Sequence, residues 1–362
     1  MEVNKIVITG GPCAGKTTAL VSIFETFTNL GYTVLFISET ASELINGGVA
    51  PWTCKTSDEF QKFLFKLQIE KEKIYEKAAL SMPAEKVLIV CDRGILDNKA
   101  YMSVESFNAV LNELNINEVE FRDNYDAVFH LVTAACGAED FYTTENNTAR
   151  TETPQQAREL DKKLISAWTG HPHLRVIDNS TDFKNKIKNL ITEISSFLGE
   201  PEPLEIERKF LIEYPDISWL ESSENCQKVE IIQTYLNSEN DDEVRVRQRG
   251  SNGNYIYIKT IKRKVDSLKR IEIEKRISKD EYLQLLMEAD TGCRQIRKNR
   301  YCLVSDSQYF EIDVYPFWED KAILEIELSD ENSTVRFPEK IKVIKEVTDD
   351  DNYKNASLAK IK

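Results

Sequence analysis

The octapeptide Gly10-Gly11-Pro12-Cys13-Ala14-Gly15-Lys16-Thr17 satisfies the pattern G-x-x-x-x-G-K-[ST], and it constrains the first half of the chain more than any other feature. It follows an apolar run, Lys5–Thr9, and opens a helical pattern that continues through Thr18 to about Leu30. Strand, glycine-rich loop and helix in that order is the context in which the pattern has a mechanism. Glycines let backbone N–H groups converge on phosphate oxygens, and the helix N-terminus adds its positive dipole. Lys16 is expected to reach the β- and γ-phosphates as a point charge, and Thr17 to offer its hydroxyl to Mg2+. Gly10 through Thr18 are therefore candidate nucleotide-binding residues for ATP or GTP.

The surrounding sequence agrees with such a loop. Thr33–Ile37, Lys86–Val90, Ala127–Leu131 and Leu174–Asp178 are short, nearly continuous β-branched runs, the signature of strands buried on both faces. Between them lie helical patterns, among them Pro154–Trp168, with Thr153 and Gln156 as a capping box and Gly170 just past its end. Alternation of this kind predicts an α/β domain on a parallel sheet. Asp92 follows the third strand, where a carboxylate meets the cation of a phosphate loop, and Arg93 stands next to it. Such an Asp-Arg pair is common in small-molecule kinases. Glu39 is expected at the end of the neighbouring strand. Arg150, after a polar stretch that reads as a lid, is a candidate for neutralising a phosphoryl group, whereas Arg158 is equally suited to a surface ion pair. Asp178 and Asn179 follow the last strand, where a nucleotide base rests in such folds. No N-K-x-D sequence is present, so adenine and guanine both stay open. His171 and His173 lack partners at metal spacing and read as a turn.

A break falls at Gly199-Glu200-Pro201-Glu202-Pro203, which places domains at 1–200 and 204–362. Charge density rises across it: 48 charged residues in the first 200 positions, then 60 in the remaining 162. Period-two alternation replaces the helical pattern over Glu205–Leu211, Glu243–Gln248, Asn254–Thr260, Arg270–Lys275, Tyr309–Val314 and Ile323–Leu328, with one helix within Ser278–Asp290 capped by Ser278. This predicts an antiparallel sheet or barrel.

Its charged rows are unusual for a solvated face, which mixes serine, threonine, asparagine and lysine. Here acids and bases recur in alternating rows: Glu205, Glu207 and Lys209; Arg245 and Arg247; Lys259; Arg270, Glu272 and Glu274; Lys298 and Arg300; Glu311 and Asp313; Glu325 and Glu327. Turned inward, they make a polyanion site in which cations hold phosphates and carboxylates hold bridging divalent cations.

These rows, with the terminal Glu346-Val-Thr-Asp and Tyr353-Lys-Asn-Ala-Ser-Leu-Ala, resemble the CYTH, or triphosphate tunnel metalloenzyme, superfamily over about residues 204–362. The first part, through GGPCAGKTT, CDRG, Arg150-Thr-Glu and GHPHLRVIDNSTDF, resembles NadR-like P-loop domains. The tunnel resemblance implies a β-barrel that hydrolyses a triphosphate or polyphosphate with Mg2+ or Mn2+. It implies Glu205, Glu207, Glu325 and Glu327 as metal ligands, with Asp313, Glu272 and Glu274 as further candidates. It implies Lys209, Arg245, Arg247, Lys259, Arg270, Lys298 and Arg300 as phosphate ligands, and Glu205, Glu207 and Lys209 as catalytic groups. Asp92 is the catalytic candidate of the first domain, as a ligand of its metal or the orienter of an acceptor hydroxyl. The fusion is also similar to a fly protein type implied to bind GTP and phosphoinositide headgroups and to act in membrane-protein trafficking. Triphosphatase, regulator and nucleoside-like kinase all remain open at this point.

Composition excludes other classes. With 47 basic against 61 acidic residues the formal charge is −14, which argues against an electrostatic nucleic-acid binder. No apolar run approaches the ~18 residues of a transmembrane segment, and the N-terminus lacks a signal peptide's apolar stretch. Seven cysteines without C-x-x-C pairs fit reduced thiols rather than a disulfide framework, so a cytoplasmic protein, peripheral at membranes if the regulator reading holds, is expected.

Overall fold

In a computed structural model that describes residues 2–139, 153–200, 206–238, 242–264, 270–328 and 333–361, with backbone alone for 263–264 and 270–273, the chain divides into two units, Met1–Leu198 and Gly199–Lys362.

The first unit runs β1 (Glu2–Gly10), α1 (Lys16–Asn29), β2 (Thr33–Ile37), α2 (Thr40–Asn46), α3 (Ser57–Ser81), β3 (Lys86–Asp92), α4 (Val104–Leu114), α5 (Glu118–Arg122), β4 (Ala127–Leu131), α6 (Pro154–Trp168), β5 (Leu174–Ile177) and α7 (Phe183–Phe197). Its five strands pair in parallel in the order β2-β3-β1-β4-β5. The β-branched runs supply the core: Ile6, Ile8, Leu88, Val90, Phe129 and Leu131 pack against Ile23 and Phe27 of α1 and Leu190 and Ile194 of α7. Each such burial contributes about 1.5–3 kcal/mol. The helix predicted at Pro154–Trp168 is present with its capping box, the Thr153 hydroxyl accepting from the Gln156 N–H at 3.3 Å and the Thr153 N–H donating to Gln156 Oε1 at 2.8 Å. The carboxyl ends of β1 and β3 lie side by side at the sheet's centre, where ligands of open α/β sheets bind.

The second unit contains β6 (Ile206–Glu213), α8 (Ile217–Ser222), β7 (Cys226–Leu236), β8 (Glu243–Ser251), β9 (Asn254–Lys264), β10 (Arg270–Ile277), α9 (Lys279–Leu285), β11 (Ile296–Ser305), β12 (Gln308–Val314), β13 (Lys321–Leu328), β14 (Val343–Glu346) and α10 (Asn355–Ala359). Nine antiparallel strands follow the order β10-β9-β8-β7-β11-β12-β13-β6-β14. Alternation sorts their side chains. Phe210, Ile212, Tyr301, Leu303, Phe310, Ile312 and Leu324 form a core on one face. The charged rows of β6, β8, β11, β12 and β13 take the other.

Candidate functional site

Gly10 ends β1 and Lys16 starts α1, so the phosphate loop is the connection between them. Gly15 caps α1 at φ 93°, and a Cβ there would lie 2.5 Å from the Phe183 ring, so the position requires glycine twice over. Cys13 also takes a left-handed conformation, at φ 57°. Ala14 is buried, while Thr17 and Thr18 stand exposed on the first turn of α1. Burial lowers the pKa of Lys16, as does the positive charge of Arg93; Asp92 and Glu39 pull it back. Lys16 thus shares the electrostatic field of the three residues singled out beside it.

Asp92 closes β3, and its Oδ1 is buried without a hydrogen-bond partner. Burial raises its pKa against the attraction of Lys16. An orphaned carboxylate oxygen in a cleft fits a divalent cation, a hard ion that prefers oxygen. Arg93 adopts φ 70° and gives its Nε to Glu39 Oε1 at 2.5 Å, while its Nη1 is buried with no hydrogen bond. Burial would raise the pKa of Glu39, but Arg93 and Lys16 outweigh it and bring it down to about 2. Glu39 is thus an anion clamped to Arg93.

At the end of β5, Asp178 Oδ1 accepts from the N–H and hydroxyl of Ser180, and the Asn179 amide donates to the Thr133 and Cys136 carbonyls at 2.8 and 2.6 Å. Asn179 Oδ1 accepts from Lys186 Nζ at 2.7 Å. Asn179 therefore braces the loop after β4. His171 and His173 form the expected turn, with His173 N–H donating to His171 Nδ1 at 3.0 Å. Arg158 donates to the Ala135 carbonyl at 2.9 Å. Arg150 lies outside the described residues.

In the second unit, strand register shows which rows meet. Directly opposed residues share a face, and the pairs Arg300–Asp313, Glu325–Glu311, Lys209–Glu325, Glu207–Glu327, Gln233–Arg247 and Thr260–Glu274 fall on one. Arg300 is the centre of a network. Its Nε and Nη2 bind both oxygens of Asp313 at 2.7 Å, Nη2 reaches Glu325 at 2.6 Å, and Nη1 contacts Glu311. Lys298 also pairs with Asp313, and Lys209 Nζ lies 2.8 Å from Glu325. Burial would raise the pKa of Glu325, but Lys209, Arg300 and Lys298 hold it far below the carboxylate range. For Lys209 burial is outweighed by Glu325 and Glu207, and its pKa rises.

The arginines of β8 differ. Arg247 meets Glu274 at 3.1 Å, and that carboxylate also accepts from the Thr260 hydroxyl. Burial lowers the Arg247 pKa, as do Arg245, Arg249 and Arg300, with Glu274 opposing; its Nε is buried without a hydrogen bond. Buried cations that repel one another in this way favour an anion among them.

One placement corrects the sequence reading. Lys259 pairs with Val246 and Lys275, on the face opposite Arg245 and Arg247. Alternation has period two, so a shift of one residue changes faces; Thr260 and Lys262 take the arginine side. Glu205 lies outside the described residues, and Arg270 and Glu272 are described by backbone alone, opposite Lys264 and Lys262. Among the described residues no three acidic, histidine or cysteine side chains gather as a metal cage. Glu207 and Glu327 do stand directly opposed on adjacent strands. Like charges so placed repel, with Lys209 Nζ 3.9 Å from Glu207, and carboxylate oxygens are the donors that a divalent cation prefers.

Sequence reasoning missed Arg249, which alternation after Arg245 and Arg247 would have supplied, and Asp161, whose carboxylate accepts from the Gly11 N–H of the phosphate loop at 2.8 Å. Nothing in the local pattern marks Asp161.

One unit thus carries the G-x-x-x-x-G-K-[ST] loop on a parallel sheet, and the other a charged face on an antiparallel sheet. The chain belongs to the AAA domain family, whose model matches residues 5–186, and to the CYTH domain family, matched over 203–345. It is 33% identical over 159 residues to the inorganic triphosphatase of Nitrosomonas europaea, spanning 43% of this chain and 96% of that protein. A solved structure of an inorganic triphosphatase is 29% identical with a TM-score of 0.30, over 43% of this chain and 94% of that one. The deoxyadenosine kinase from M. mycoides with bound dATP is 18% identical with a TM-score of 0.38, over 53% of this chain and all of that one.

Proposed function

We propose that the second unit binds and hydrolyses a triphosphate with a divalent cation, and that the first binds ATP or GTP. The observation that carries the triphosphatase reading is a single sheet face that holds the arginines of β8 together with the carboxylates of β12, β13 and β6. In this reading Arg245 and Arg247 grip phosphate oxygens with planar guanidinium forks. Glu207, Glu325 and Glu327, with Glu205, would hold Mg2+ or Mn2+, which when bound polarises a phosphoryl oxygen and lowers the pKa of a bound water. Arg300 fixes Asp313 and Glu325 in place, and Lys209 beside Glu325 neutralises charge gathering on the departing phosphate. In the first unit Lys16 and the loop hold the nucleotide's phosphates, and Thr17 and Asp92 would hold its Mg2+. The unpartnered Arg93 Nη1 beside the Glu39 anion also suits a small hydroxyl-bearing acceptor, which supports a nucleoside-like kinase.

The repelling arginines of β8 suit a phosphoinositide headgroup as well as a triphosphate. That favours a second reading: a regulator of membrane-protein trafficking, in line with the similarity of this domain order to the TRPL translocation defect proteins of flies. The discriminating experiment is a phosphate-release screen of the full chain with tripolyphosphate, pyrophosphate, ATP and GTP, each with Mg2+ or Mn2+. Release from tripolyphosphate supports the enzyme. No release from any substrate, with co-sedimentation on phosphoinositide vesicles, supports the regulator.

A further inference from the structure

Helix α6 buries Ala157, Asp161, Leu164, Ile165, Ala167 and Trp168, and Asp161 is the one charged residue among them. A carboxylate on an apolar helix face is costly unless its hydrogen bonds are supplied. Here Oδ1 faces three donors: the Gly11 N–H at 2.8 Å, the Thr133 N–H at 3.2 Å and His130 Nε2 at 3.1 Å. They come from the phosphate loop, the loop after β4 and β4 itself. The approach to Gly11 is so close that a Cβ there would lie 2.6 Å from Oδ1, so Asp161 explains why the second residue of the loop is glycine. Thr133 completes the ring by donating its hydroxyl to the Pro12 carbonyl at 2.5 Å.

The same helix is tied to the other half of the cleft. Trp168 Nε1 donates to Asp97 Oδ1 at 2.9 Å; that oxygen accepts the Thr9 hydroxyl, and Asp97 Oδ2 accepts the Gly94 N–H. One rigid helix thus fixes the entry of the phosphate loop against the turn that carries Asp92 and Arg93.

We infer that Asp161 is the positioning residue of the nucleotide site: it preforms the phosphate loop and sets it against the end of β3. The inference rests on the nucleotide-binding reading of that loop. A preformed loop binds more tightly because its ordering is not charged to the ligand.

The test is calorimetric titration of the full chain with Mg-ATP and Mg-GTP, well below the melting temperature. Asp161→Ala is expected to weaken nucleotide binding about tenfold or more, and Asp161→Asn, which keeps an acceptor oxygen for Gly11 and Thr133, to lose about threefold or less. Gly11→Ala is expected to weaken binding too, and the double variant to lose less than the two single losses combined, because both act on one contact. A merely structural aspartate lowers the melting temperature and leaves the affinity of the folded protein unchanged. Wild-type affinity in Asp161→Ala, or strict additivity in the cycle, overturns the inference. Where Asp161→Ala does not fold, Asp161→Asn and Gly11→Ala decide: wild-type affinity in both overturns it, and the ranked losses support it. If the wild-type chain binds neither nucleotide, the reading of the loop fails first and Asp161 falls with it.

Discussion

Arg300 on β11 reaches across β12 to Glu325 on β13, Nη2 to Oε2 at 2.6 Å, while the same guanidinium chelates Asp313 on the strand between. A residue that sequence similarity assigns to phosphate binding is thus already neutralised by carboxylates in the ligand-free chain. Arg245 and Arg247 of β8 meet Glu243 at 3.8 Å and Glu274 at 3.1 Å, looser contacts than those of Arg300, and this contrast divides the face into a framework and a receptor.

Arg300→Ala should therefore act on stability. It would take from Asp313, which is fully buried, and from Glu325 the guanidinium that ties them together, leaving Asp313 to Lys298 and Glu325 to Lys209, and breaking a buried pair from one side costs about 3–5 kcal/mol. Denaturant unfolding of the second unit is expected to show that loss, and Arg300→Lys, which cannot fork between strands, to restore little of it. Arg247→Ala should cost far less stability and weaken tripolyphosphate binding about tenfold. Equal stability losses in the two variants would contradict the division.

The pH dependence follows from the same network. Glu325 has a depressed pKa, so its contribution is present above the unfolded carboxylate value of about 4.3 and is lost as pH falls toward the folded value. Lys209 has a raised pKa, so its contribution is present below about 10.4 and is lost as pH climbs through the folded value. Melting of the second unit should be nearly flat between about pH 5 and 9 and fall on the acid side. In Glu325→Gln the acid slope should be shallower.

Much of this was legible in sequence because it rests on local rules. Thr33–Ile37, Ala127–Leu131 and Pro154–Trp168 have in the structure the bounds that their apolar runs and caps predict. The strand Cys226–Leu236 was not, because its polar side chains, among them Gln227, Gln233 and Thr234, do not form the charged rows that marked its neighbours. Lys259 was assigned by proximity to a row when parity decides the face. Asp161 was out of reach: its partners, Gly11 and Thr133, are 150 and 28 residues away, and only tertiary packing brings them together.

Asp92 should trade stability for function. Burial raises its pKa, so its ionised form opposes folding of the first unit at neutral pH. Asp92→Asn is expected to raise the melting temperature of the ligand-free chain while abolishing the extra stabilisation that Mg2+ adds to nucleotide binding. A lower melting temperature with Mg2+ dependence intact would show that Asp92 is a structural group.

The most direct measurement is phosphate release from tripolyphosphate by the full chain with Mg2+ or Mn2+, in wild type, Lys16→Ala and Glu207→Gln. Lys16→Ala disables the nucleotide loop alone, and Glu207→Gln removes a charge but little volume from the tunnel face. The account predicts metal-dependent release in wild type, undiminished in Lys16→Ala and abolished in Glu207→Gln, with tripolyphosphate still bound. No release with either metal, or release lost in Lys16→Ala and kept in Glu207→Gln, would contradict it.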